Sequence, residues 1–120
     1  MARIWMVIGA LSGLIAVAMA AYASHGLPPE VAGTAMTGAS LQAWHALALL
    51  IAGMLVERRR GPIVPLAAAC FAFGTLLFSG GIYLRVLTGI SLGMVVPLGG
   101  MALLVGWGLL AAGAALAPER

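Results

Sequence analysis

The chain has 120 residues, room for one domain of ordinary size, and 63% of them are hydrophobic, against about 45–50% in soluble domains. Only 8% are charged, where a water-facing surface needs about 25%. A soluble globular domain is excluded, and so is intrinsic disorder, which requires the opposite balance. The formal charge of +3 comes from six Arg against three Glu, with no Lys, Asp or Asn. A nucleic-acid binder needs a basic face that follows phosphates. Here three arginines are adjacent at Arg58-Arg59-Arg60 and the others are scattered between apolar runs.

A helix needs roughly 20 mainly apolar residues to cross a bilayer core. The first such run is 4–23, the second 41–56, the third 62–84 and the fourth 94–117. No Arg or carboxylate interrupts the apolar stretches, and none alternates polar with apolar as a membrane barrel strand does. The expected architecture is all-α: a single integral membrane domain over 1–120 built as a four-helix bundle. Met1 to Ala23 is expected to remain as a span, because its apolar run exceeds the roughly 7–15 residues of a signal-peptide core.

Residues 24–40 form the longest connection. Pro28-Pro29-Glu30 suits a helix start, since Pro is tolerated in a first turn and an acid favours the positive dipole end. Val31, Ala35 and Ala39 share one face, so a short interfacial helix is expected there. The connection near 57–61 is tight, and that over 85–93 is polar enough to turn but carries no acid. Positive charge is retained on the cytoplasmic side. Arg3, Arg58, Arg59, Arg60 and Arg120 fall on one side and only Arg85 on the other, which predicts cytoplasmic termini.

Small residues let helix backbones approach closely in lipid. Gly9, Gly13, Ala16, Ala20 and Ala23 line one face of the first span. Ala68, Ala72, Thr75 and Ser79 do so in the third, and Gly99, Ala102, Gly106 and Gly113 in the fourth. Tight packing within the bundle is the expected role, with a pore or dimer seam as the alternative.

Ionisable groups in a membrane are costly and default to functional suspects. The spans place His25, Gln42, His45, Ser79, Tyr83 and Thr88, with Arg85 beside them, at a similar depth near the outer end. Three roles fit these residue types. They are a hydrogen-bonded cluster locking helix ends, a site for a lipid headgroup or small ligand charged by Arg85, or a metal or haem held by His25 and His45. The last lacks a ligand-spacing motif, and no cofactor is expected. Trp5 and Trp44 are expected at the membrane interfaces. Trp107, in mid-span, needs a partner for its indole N–H. The lone Cys70 reads as a small core hydrophobe.

Nucleotide, dinucleotide and serine-hydrolase motifs are absent from the sequence, so an enzyme is not expected. Small multidrug antiporters carry a Glu in their first helix; this first span has no acid.

Ser24-His25-Gly26-Leu27 and Trp44-His45-Ala46-Leu47-Ala48-Leu49-Leu50 resemble the "AHGL" and "HALALL" signatures of the YgdD-like family. Phe78-Ser79-Gly80-Gly81-Ile82-Tyr83-Leu84 with Leu87-Thr88-Gly89 is similar to that family's "FSGSLYLLALTG". Pro97-Leu98-Gly99-Gly100 followed by Gly106-Trp107 resembles its "TPIGG…GW". Gly81 stands where Ser is common, and the segment after His25 carries less charge than usual. The resemblance implies a small inner-membrane protein with four helices and a function not yet established. It transfers no catalytic or cofactor residue.

The expected function is therefore that of a non-enzymatic, multi-pass protein of the inner (plasma) membrane, an accessory, assembly or lipid-organising component. Its partners would be membrane lipids and a larger membrane complex or further copies of itself, with no nucleic acid. The alternative is an oligomeric transporter or channel for a small solute.

Overall fold

The computed structural model describes residues 2–120 as four α-helices: α1 (Ala2–His25), α2 (Pro29–Arg58), α3 (Ile63–Thr88) and α4 (Val95–Leu116). All four are long and apolar enough to cross a membrane. Their ends follow the local chemistry. Gly26 N–H caps Tyr22 O at 2.7 Å, and extended Pro28 then admits Pro29 and Glu30 into the first turn of α2. Gly89 closes α3 with φ of 77°, a left-handed cap that glycine adopts without a Cβ penalty.

The short interfacial helix does not exist as a separate element. Residues 29–40 are the first turns of α2, and Ala35 and Ala39, on the face it would have laid on lipid, are buried. An ideal Cβ on neighbouring Gly38 would sit 3.0 Å from Ile82 Cγ2 and 3.1 Å from Tyr83 Cε1. The small face is therefore taken up by α3. The 30 residues of α2 run for about 45 Å, beyond a hydrocarbon core of about 30 Å. Gly80-Gly81 likewise leaves α3 unbroken.

The helices pack in chain order. α1 lies along α2, α2 against α3, and α3 against α4, whereas α1 and α4 do not meet. The two close pairs are made by glycine. A Cβ on Gly9 would be 2.9 Å from Ala46 O, and one on Gly99 would be 2.5 Å from Phe78 N. Backbone thus packs directly on backbone. Most of the sequence stripes form this internal seam: Gly9, Ala16, Ala23, Ala68, Thr75, Ser79, Gly99, Gly106 and Gly113 are buried, while Gly13, Ala20, Ala72 and Ala102 are half-buried. Large side chains such as Leu14, Val17, Leu47, Phe73, Leu104 and Leu116 point outward, as a lipid solvent permits. Leu49, Val64 and Phe71 are the largest hydrophobic side chains fully buried in the core.

At one end a clasp joins the α2–α3 turn to the C-terminal tail. Arg60 N–H donates to Pro118 O at 2.8 Å and Arg120 N–H to Arg58 O at 2.9 Å. The Arg59 guanidinium donates to Ala117 O at 3.0 Å and lies 3.8 Å from the exposed Glu119 carboxylate. Ala2 O comes near Gly53. Ala2, the C-terminal tail and five of the six arginines therefore share this end, with Arg85 near the other.

Candidate functional site

The continuous α2 changes the depth of the polar residues. Gln42 and His45 were expected one turn inside an outer membrane face. With α2 beginning at Pro29 rather than near Leu41, they lie at the middle of the helix. Ser12 of α1, Thr75 of α3 and Trp107 of α4 are also near the middles of their helices. Trp44 moves with His45 and faces outward at mid-depth, away from the interface expected for it.

Four of the expected residues come together around α2. The Tyr83 hydroxyl donates to Gln42 Oε1 at 2.6 Å, and Gln42 Nε2 donates to Ser12 Oγ at 3.2 Å. One buried amide thereby ties α3 to α1 through α2. Ser79 Oγ donates to Gly38 O at 2.8 Å within the buried α2–α3 seam. His45 joins the fourth helix: Trp107 Nε1 donates to its Nε2 at 3.0 Å, and its Nδ1 lies 2.6 Å from Leu41 O. An indole N–H can only donate and a carbonyl can only accept, so this imidazole is the neutral tautomer protonated at Nδ1. Phe71 completes the group, with ring centroids 5.1 Å from Trp107 and 5.8 Å from His45.

The other three do not join. His25 is exposed at the end of α1, so it and the buried His45 form no pair of ligands. Both His45 nitrogens are already engaged. Among the described residues no group of three or more His, Cys, Asp or Glu is placed to hold a metal. Thr88 caps its own helix, donating to Leu84 O at 2.6 Å and accepting from Ile90 N–H at 3.2 Å. Arg85 is exposed beside a cavity of about 250 Å³ shared with Thr34 and Ser91.

Ser12 and Thr75 belong to this region and were not singled out as site residues. Ser12 had one signal, a hydroxyl deep inside an apolar run. In the sequence Thr75 falls only in a packing stripe. It is 6% exposed, and its Oγ1 is buried without a hydrogen-bond partner, an arrangement that costs about 1–3 kcal/mol. Ser12, Gln42, Thr75 and Tyr83 all line a groove of about 380 Å³ between α1, α2 and α3. The rest of its wall is apolar, with Ile8, Leu49 and Ala72 inside and exposed Leu11, Ile15 and Leu76 at the rim. It exists because α1 packs on α2 without closing against α3.

Four lipid-compatible helices, a polar tie at mid-depth and a charged clasp at one end define a small multi-pass membrane protein. The sequence model of the protein family of unknown function DUF423 matches residues 19–100. The chain is 35% identical over 117 residues to the UPF0382 inner membrane protein YgdD of Escherichia coli K12, covering 93% of this chain and 89% of that protein. It is 32% identical over 111 residues to the UPF0382 membrane protein YwdK of Bacillus subtilis, covering 88% and 90%. A UPF0382 membrane protein of Staphylococcus epidermidis is 31% identical over 110 residues, covering 88% and 89%. The chain belongs to the DUF423/UPF0382 family. No solved structure matches it.

Proposed function

We propose that this protein is a non-catalytic, lipid-organising accessory component of the inner membrane, with its arginine-rich end and both termini in the cytosol. The observation that carries this reading is how the mid-depth polar groups are used. Gln42, Ser79 and Tyr83 spend their hydrogen bonds on neighbouring helices, and His45 bonds to Trp107 of α4 and to Leu41 O of its own helix. His45, the one imidazole in the core, has both nitrogens occupied and is not free to act as a base. The space beside them is a lipid-facing groove whose wall is apolar apart from Ser12, Gln42, Thr75 and Tyr83. Five arginines at one end favour retention of that end in the cytosol.

Purification in a gentle detergent at native expression level, followed by mass spectrometry of co-purifying lipids and proteins, tests it. Specific lipids or a membrane partner retained by the wild type, and reduced in His45→Ala, support the reading. A saturable solute flux in proteoliposomes, with no retained lipid or partner, would replace it with the transporter.

A further inference from the structure

We propose that the groove between α1 and α3 holds the ring of an isoprenoid quinone taken from the bilayer. This deepens the lipid-organising reading by naming the lipid, and it rests on that reading. The wall combines two features. Most of it is apolar, and its open rim of Leu11, Ile15 and Leu76 faces the surrounding lipid. An occupant must therefore be dissolved in the hydrocarbon layer and enter sideways. The second feature is a pair of hydroxyls at mid-depth. Thr75 Oγ1 is buried and unpartnered, and Ser12 Oγ accepts from Gln42, so its own proton remains to be donated. Two O–H donors with no acceptor in the protein call for a ligand that brings an acceptor to that depth.

A phospholipid cannot supply it, because its ester carbonyls stay at headgroup level while these hydroxyls lie near the middles of α1 and α3. A quinone can. Its ring carbonyls are acceptors only, its tail is hydrocarbon, and the whole molecule is soluble in the bilayer core. The volume of about 380 Å³ falls within the range of about 300–1,000 Å³ typical of small-molecule pockets. The quinone is held by carbonyl hydrogen bonds and no electron transfer is invoked.

Gly80 supplies the test. It lines the groove, and a Cβ there would meet only Leu76 Cδ1 at 3.9 Å, so Gly80→Leu has room to place its side chain in the ligand's space. Thr75→Val keeps shape and removes the donor. Full-length protein in detergent is titrated with decylubiquinone, following tryptophan fluorescence for affinity and thermal melting for stabilisation. A saturable interaction that raises the melting temperature of the wild type is expected. Gly80→Leu should abolish it, and Thr75→Val should weaken affinity about fivefold, as for loss of one hydrogen bond, without a lower melting temperature in the ligand-free state. Equal binding by wild type and Gly80→Leu overturns the proposal. So does stabilisation of the wild type by phosphatidylethanolamine but not by decylubiquinone, although that result leaves the lipid-organising reading standing. A wild type that responds to neither overturns the site. The broader reading then falls separately only if the native preparation also carries no lipid or partner.

Discussion

Trp107 Nε1 donates to His45 Nε2 across 3.0 Å, joining the middle of α4 to the middle of α2, two helices that otherwise barely meet. The bond is the polar link between the α1–α2 pair and the outermost helix. Trp107 is 44% exposed, but to lipid, where no water replaces a lost partner. Trp107→Phe should therefore lower stability in detergent by about 0.6–1.7 kcal/mol. His45→Ala, which orphans the indole and opens a void beside Phe71, should cost about 2–3 kcal/mol. Thermal melts of both, and of the double variant, give the coupling. Additive losses would mean the two side chains act independently.

Gly99 should tolerate no side chain. A Cβ there would lie 2.5 Å from Phe78 N and 2.9 Å from Gly74 O, both backbone atoms that cannot move aside. Gly99→Val should force α3 and α4 apart, costing about 3 kcal/mol or preventing folding. Gly108, with nothing within 4 Å, is the control. Gly108→Ala should be neutral or gain up to about 1 kcal/mol of helix propensity. The yield of monodisperse protein after size exclusion separates the two.

Tyr83→Phe should be worse than Ser79→Ala, although each removes one hydroxyl bond. Loss of the Tyr83 hydroxyl leaves Gln42 Oε1 without a donor inside the groove wall, a cost of about 1–3 kcal/mol. Gly38 O keeps its place in the ladder of α2 when Ser79 is truncated, so that change should cost about 0.6 kcal/mol. Denaturation curves that reverse the order would show that the amide finds another donor.

The clasp makes a prediction about the tail. Arg59→Ala removes the bond to Ala117 O and the pairing with Glu119. The amides of Ala117, Glu119 and Arg120 should exchange faster, while global stability falls by about 1 kcal/mol or less, as expected of an ion pair with an exposed carboxylate. Hydrogen exchange read by mass spectrometry resolves the two effects.

Orientation is checked by labelling. With the arginine-rich end in the cytosol, Ser91→Cys should react with a membrane-impermeant maleimide in intact spheroplasts, and Glu119→Cys only after lysis. The opposite pattern would invert the topology.

Class and span number were legible in the sequence because they follow from composition. A chain with 8% charged residues has lipid as its solvent, and lengths near 20 residues set what crosses it. The stripes of glycine and alanine also marked the seams, since only small residues gain from meeting in lipid. Which helices meet was a different matter. In water an amphipathic face points to its partner, but Leu14 and Leu49 are equally apolar, and one faces lipid while the other is core. The tertiary structure alone settled that α2 runs unbroken from Pro29 to Arg58, which moved Gln42 and His45 from a membrane face to mid-depth. It also brought Trp107 onto His45 and left Thr75 unpaired beside an open groove. Such pairings join residues far apart along the chain, and the spacing within any one apolar run contains no information about them.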